Sequence, residues 1–487
     1  MKLSPRMFRK VAREEVAEQE QSNNRVMLAS VANDLCDTAM SYYGDYSEQD
    51  KAREIAGNIR HNNLQNLAEL LEWFELNATL NGMNVLWAEN GEEACQMVEE
   101  IIEEHEVKTI TKGKSMLMEE IDLANYIKSR TKTTLHEGDL EGFIALQNDT
   151  IRFNTAIPTL NLDLSEIVEI LNHRQNMPHT NEASEVVDYI REFLRTKFKQ
   201  ADMGITGVNF AVASTGSLLL LENEGNIRWS TSAPKVHVAI MSIEKVCANL
   251  DDAFYLSSLI SRNCTGQSIT TYVSLLNGPA KKEEKDGPRE VYVIIVDNGR
   301  SEVYLDDEFR EALRCIRCGR CAVKCPVYLR IGAYPYGNPY PGPSGTVLMP
   351  LLLGLDETKH LYQACTLCGA CMETCPVEIP HLDFFQRYRQ LKASGDKEYE
   401  ATSNIWNKMM FESIAKGMDN NKRYERALAG LRAYTKNFVT DNYIEKMPMP
   451  LASWFIARDL PEIPSQSFRA YWQEEGFRTA KEVKEDE

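Results

Sequence analysis

The chain has 487 residues, 43% hydrophobic and 26% charged, an ordinary globular composition with length for two or three domains. Its net charge of −18 argues against nucleic acid or a strongly anionic membrane surface as the main partner. No apolar run approaches the roughly 18 residues of a membrane-spanning helix, and the opening MKLSPRMFRKVAREE lacks the apolar core of a signal peptide. The cytoplasm is the expected compartment, with peripheral attachment to the inner face of the membrane left open.

Residues 1–64 read as N-terminal helices. Leu64, Leu67, Leu70, Leu71 and Phe74 predict a dense apolar face on one long helix, which Asn81-Gly82 ends. Strands and helices then alternate: a strand at 83–87, a turn at Asn90-Gly91, an acidic helix at 92–104 and a strand at 107–111. A helix capped by Ser115 runs to about 129, and a strand covers 131–135. This order implies a parallel sheet with helices on its faces. Val186, Val187, Ile190, Phe193, Leu194 and Phe198 predict one side of a helix over 182–200. Strands follow at 207–212, 217–221 and 236–240, with turns at Thr215-Gly216 and Glu224-Gly225-Asn226. A helix from about 244 to 261 and strands at 269–275 and 291–296 complete an α/β domain over 65–300. The charged stretch at 281–288 reads as a solvated loop.

The second domain, 301–395, is built on two copies of C-x2-C-x2-C-x3-C-P. One is Cys315, Cys318, Cys321, Cys325 and Pro326; the other is Cys365, Cys368, Cys371, Cys375 and Pro376. This run holds bacterial-type [4Fe–4S] clusters, and its fourth cysteine normally ligates the other cluster. The expected sets are therefore Cys315, Cys318, Cys321 with Cys375, and Cys365, Cys368, Cys371 with Cys325. Gly319 and Gly369 let the backbone pass close to the sulfurs. Zinc knuckles are the alternative, but they use pairs of cysteines closed by a second pair or by histidine. Structural disulfides do not suit a chain without export signals. The other cysteines, Cys36, Cys95, Cys247 and Cys264, read as ordinary reduced residues. The long insert between the runs, with a Tyr/Pro loop at 334–345 and an apolar helix at 347–355, points to an α-helical ferredoxin type. That loop either covers a cluster or serves as a rigid connector. Residues 396–487 are expected to be helical and then irregular, with the last eight residues frayed.

In the α/β domain, Lys112-Gly-Lys114-Ser115 follows a strand and opens a helix, where an anion could bind. It is not a P-loop, because position 108 is Lys where a glycine is required. Asn209, Thr215, Asn223, Glu224 and Asn226 join Lys112, Lys114 and Ser115 as candidate residues around a polar pocket at strand ends; plain turns are the alternative. Asp297-Asn-Gly-Arg300 is placed to contact the cluster domain. Glu244-Lys245 reads as a solvated helix start before it reads as an acid/base pair, and His237 as a structural histidine. The G-x-G-x-x-G dinucleotide fingerprint is absent.

Taken together, Lys112-Gly-Lys-Ser-Met with Glu119-Glu120, Asp202-Met-Gly-Ile-Thr-Gly-Val-Asn-Phe210, Thr215-Gly216, Asn223-Glu-Gly-Asn226, Ile243-Glu-Lys245, Asp297-Asn-Gly-Arg300 and both cysteine runs resemble the lactate-utilisation iron–sulfur proteins. The resemblance implies a lactate-utilisation domain of the sugar-isomerase/CoA-transferase-like α/β fold, then a ferredoxin-type domain with two [4Fe–4S] clusters, then C-terminal helices. It implies an electron-transfer subunit of an L-lactate-oxidising complex. The implied partners are a cysteine-rich, heterodisulfide-reductase-like subunit and a second lactate-utilisation-domain protein, with a quinone-linked acceptor. The chain departs from the family's usual pattern at 137–142, 151–159 and 213–216, along one wall of the presumed pocket. A ligand-binding or scaffold role for the α/β domain is the second reading.

Overall fold

The computed structural model describes residues 5–21, 46–147, 162–448 and 459–475, with isolated positions between 34 and 41. The departures at 151–159 and the terminal eight residues lie outside the described residues. Two compact units are present, Met1–Thr402 and Ser403–Glu487.

The first unit is organised by a six-stranded sheet. Its strands are β1 (Asn84–Ala88), β2 (Thr109–Lys112), β3 (Thr134–Glu137), β4 (Met203–Gly207), β7 (Val236–Ser242) and β10 (Glu290–Val296), in the order β1-β10-β7-β4-β2-β3. All five pairings are parallel, as the alternation predicts. The central strands β7 and β10 are near-continuous apolar runs because both faces are covered. Their side chains alternate between two cores. Ala239, Met241, Val291, Val293 and Ile295 join one; Val238, Ile240, Tyr292, Ile294 and Val296 join the other.

The first of these cores does not stop at residue 300. It continues without a break through Phe309, Leu313, Cys318, Cys321, Tyr340, Leu348, Phe385 and Tyr388. The cysteine-rich segment is thus packed on one face of the sheet through a shared apolar interior. The expected boundary at 300 marks a change of sequence character, not a gap in packing.

A smaller sheet completes the α/β half, with β8 (Val246–Cys247), β5 (Phe210–Val212), β6 (Ser217–Glu222) and β9 (Tyr272–Leu276) in the order β8-β5-β6-β9. The predicted helix at 244–261 is corrected here. Ile243–Lys245 is a single 3-10 turn, β8 follows, and the helix spans Leu250–Cys264. Asn249 starts it by accepting the amide of Asp252 at 2.9 Å. The single long helix predicted around Leu64–Phe74 is two, Tyr46–Gln65 and Leu67–Leu80. Asn66 leaves helical geometry between them and donates its side-chain amide to Asn62 O at 2.9 Å. Ser115 occupies the N-cap position without a side-chain capping bond, and its helix divides at Ile121-Asp122 into Met116–Glu120 and Leu123–Arg130. The turn read at 224–226 opens a helix, Asn226–Ser232. It lies so close to β4 that a Cβ on Gly204 would fall 1.7 Å from Ser230 O.

The second unit has helices Ile405–Met418, Asn421–Thr435 and Phe468–Glu474 and a three-stranded sheet of short segments.

Candidate iron–sulfur site and the sheet edge beside it

Both cysteine runs adopt the same backbone. The third residue of each, Arg317 or Leu367, is left-handed at φ 63° or 56°, and the fifth, Gly319 or Gly369, at φ 73° or 86°. The two turns curl each run onto its own first sulfur. The amide of Arg317 donates to Cys315 Sγ at 3.4 Å, and that of Leu367 to Cys365 Sγ at 3.3 Å. The glycines are needed for this positive φ; a Cβ on Gly319 would meet no protein atom within 4 Å.

The eight thiols fall into two neighbourhoods. Cys315, Cys318, Cys321 and Cys375 lie within electrostatic reach of one another in every pairing. So do Cys325, Cys365, Cys368 and Cys371. Cys321 and Cys371 connect the two groups. Burial pushes Cys318 and Cys321 far up, Cys371 up to about 12 and Cys375 up to about 11. Such thiols keep their protons near neutral pH unless bound iron takes the proton's place. Donors that are all sulfur, four of them buried, with backbone N–H bonds to Cys315, Cys365 and Cys375, fit iron–sulfur ligation. Among the described residues no three His, Cys, Asp or Glu side chains converge on a single-ion point.

The helix Tyr46–Gln65 braces the site with two arginines seven residues apart. Arg53 donates to the carbonyls of Cys375 and Met372, both at 2.9 Å. Arg60, 1% exposed, donates to the carbonyls of Glu244 and Leu313 at 2.8 Å and of Arg314 at 3.0 Å. Neither residue was singled out from the sequence, where both sit in a polar helical stretch with no motif.

The carboxyl ends of the parallel strands, where open α/β sheets place their ligands, face the first cysteine run. A buried line of alternating charge joins them. Glu120 binds Arg300 at 2.7 and 2.9 Å, and Arg300 Nε approaches Glu244 at 3.2 Å. The other Glu244 oxygen lies 3.2 Å from Arg317, within the first run. Asn298 and the hydroxyl of Tyr340 donate to Glu120 at 2.6 and 2.5 Å, and Arg317 lies over the Tyr340 ring at 4.5 Å. Burial alone would raise Glu244, but Arg300 and Arg317 outweigh it and hold the carboxyl at about 2. Burial with Arg317 draws Lys245 down to about 8. The reading of Glu244-Lys245 as a solvated helix start is therefore corrected: Glu244 is 1% exposed. The expected contact of Asp297–Arg300 with the cluster segment is present through Glu120 and Tyr340. The Tyr/Pro loop brings Tyr340 onto Glu120 and Tyr336 within electrostatic range of Cys325.

The anion-site expectation meets two carboxylates. Lys112, 1% exposed, is held by Glu137 at 2.9 Å and Glu119 at 3.1 Å. Burial pushes Glu137 up to about 7. Lys114 pairs with Glu141 at 3.3 Å, and Ser115 packs on Gly207. Most of the other candidates hold backbone in place. Asn209 accepts the Leu221 amide, Asn223 that of Thr271 and Glu224 that of Leu140, while the Thr215 carbonyl accepts from Asn81. Asn226 is buried at the start of its helix.

Comparison with known proteins agrees with this layout. The LUD domain family matches residues 71–296, and the 4Fe-4S dicluster domain family matches 311–379. The chain is 36% identical to "Lactate utilization protein B" of Oceanobacillus iheyensis, over 87% of each chain. Proteins of the same name from Bacillus cytotoxicus and Bacillus thuringiensis are 36% and 34% identical, over 87% of this chain and 88% of theirs. A crystal structure of a DUF162 family protein from Deinococcus radiodurans aligns with 47% of this chain and 98% of that one. Its TM-score of 0.25 and identity of 15% carry no argument.

Proposed function

The chain belongs to the lactate utilization protein B family, and from that premise we propose that it is the iron–sulfur electron-transfer subunit of a multi-protein assembly oxidising L-lactate or a related 2-hydroxy acid. The observation that carries the reading is the division of eight thiols into two sets of four, each drawing its fourth cysteine from the other run. That arrangement supports two [4Fe–4S] clusters, one on Cys315, Cys318, Cys321 and Cys375 and one on Cys325, Cys365, Cys368 and Cys371. When bound, the clusters supply one-electron exchange. The protein residues exclude water from Cys318, Cys321 and Cys375, donate backbone N–H bonds to the sulfurs, and keep the two sets adjacent through Cys321 and Cys371. The partners proposed are a cysteine-rich, heterodisulfide-reductase-like subunit and a second lactate-utilisation-domain protein, with a quinone-linked acceptor.

The test is L-lactate oxidation by anaerobically purified protein with an artificial acceptor, alone and with the subunits encoded beside it. Iron and sulfide are counted on the same sample. About eight irons with turnover only in the combination is the expected result. Turnover by the isolated chain, or an iron count near one cluster, overturns the reading.

The commitment of Lys112 to Glu137 and Glu119 favours a second reading for the α/β half, in which it is a binding or scaffold module rather than the oxidation site. Lys114→Ala distinguishes the two: lost turnover with full iron content supports a substrate role, and unchanged turnover supports the scaffold.

A further inference from the structure

The two thiol sets differ sharply in the charge around them. Arg53 donates to the Cys375 carbonyl at 2.9 Å and Arg60 to the Arg314 carbonyl beside Cys315 at 3.0 Å, Arg317 lies within the first run, and Lys245 lies within electrostatic range of Cys315, so four cations act on the first set. The second set has Arg389 near Cys365, and that guanidinium is engaged with the carbonyls of Tyr362 and Cys365 at 2.8 and 2.7 Å. Three of the four cations come from outside the cysteine-rich segment: Arg53 and Arg60 from the helix Tyr46–Gln65, and Lys245 from the end of β7. Two of them also have donors to spare, since Arg60 Nη1 and Arg317 Nη1 are buried with no hydrogen-bond partner in the protein. Glu244 pairs with Arg317 and is shared with Arg300, while the exposed Asp50 pairs with Arg53 at 3.2 Å.

A cluster held by four thiolates is anionic, and it gains a further negative charge on reduction. Buried cations beside it favour the reduced form more than the oxidised one, in a medium where charge is weakly screened. Resting on the two-cluster reading above, we propose that Arg60 and Lys245, with Glu244 as their counterweight, are positioning residues of the α/β half that give the Cys315/Cys318/Cys321/Cys375 cluster the higher reduction potential of the two. An electron shared between the clusters then rests on the one against the sheet edge. The second set, which includes the solvent-exposed Cys368, is the lower-potential partner.

The experiment is a redox titration of the full-length holoprotein followed by electron paramagnetic resonance, with iron counted on every sample. Wild type should show two unequal waves. Lys245→Gln should lower the higher wave and leave the lower one in place, while Lys245→Arg should restore it. Glu244→Gln should move the same wave upward. A tenfold change in the reduced-to-oxidised ratio at fixed poise, 59 mV for one electron, is the scale to resolve. Equal shifts of both waves, no shift in Lys245→Gln, or a shift that Lys245→Arg does not reverse overturns the proposal. Should Glu244→Gln fail to fold, the lysine pair still decides, because Lys245 keeps part of its surface in contact with water. An iron count of about four in wild type would instead sink the two-cluster reading itself, which separates the two failures.

Discussion

His237 sits in the middle of the sheet, 1% exposed, with Nε2 2.8 Å from Thr206 Oγ1 and Nδ1 without a partner. Burial lowers its pKa from 6.5 to about 4, so the folded protein keeps it neutral while the unfolded chain is free to protonate it. Its contribution is intact above pH 6.5 and is lost as pH falls toward 4, by on the order of 3 kcal/mol. Denaturant midpoints of wild type and His237→Gln, compared between pH 7 and pH 4.5, should show a shallower acid loss in the variant; parallel curves would exclude His237 as a source. Lys112 makes the converse case. Lys112→Met would strand Glu137 and Glu119 and should cost about 3–5 kcal/mol, much of it recovered in Lys112→Met/Glu137→Gln. Full stability of the single variant, measured by denaturant titration, would refute the pairing. These residues also mark what sequence could tell. Cysteines at fixed spacing declare their chemistry locally, whereas Glu244 and Lys245 look like any charged helix start. Only the packing of β7 against the first cysteine run, some 70 residues later in the chain, gives them their environment.

Elements were legible where period and punctuation agreed. The apolar runs of β7 and β10, the helix Ala183–Gln200 and the alternation that makes the sheet parallel all follow from side-chain spacing. Errors arose where a single asparagine decided the outcome. Asn66 splits an apolar stripe that continues across the break, and Asn249 delays a helix whose apolar pattern begins earlier. The helix Asn226–Ser232 was missed because NIRWSTS has little amphipathic signal; its place is set by Gly204 beneath it. That contact carries a prediction. Gly204→Val must push the helix off β4 and with it Glu222, whose carboxylate accepts the amides of Ile227 and Arg228 at 2.6 and 3.0 Å. Overpacking of this kind costs about 1–3 kcal/mol or more, and here backbone blocks relief. The variant should show a lowered thermal midpoint and faster proteolysis near residue 226. A midpoint within error of wild type would mean that the helix can lift without loss.

At the scale of the molecule, the sequence suggested four segments, with the boundary between the α/β and cysteine-rich segments at 300, where two motif classes abut. The apolar interior crosses that point, running from Ala56 and Leu64 through one face of the sheet to Phe385, Tyr388, Leu391 and Ala401. Sequence motifs report chemistry, and chemistry need not respect the limits of a core. A chain cut after residue 300 would expose the sheet face that Phe309, Leu313 and Leu348 cover. It would also leave Glu120, Glu244 and Arg300 without Arg317 and Tyr340, so that a buried carboxylate loses part of its compensation. A chain cut after Thr402 keeps every one of these contacts. The 1–402 fragment should therefore purify as a folded monomer or oligomer with the iron content of the full chain, while the 1–300 fragment should aggregate or bind a hydrophobic dye strongly. Cooperative unfolding of the 1–300 fragment, at the midpoint of the 1–402 fragment, would show that the α/β half stands alone. The cluster segment would then be an appendage rather than part of one folding unit.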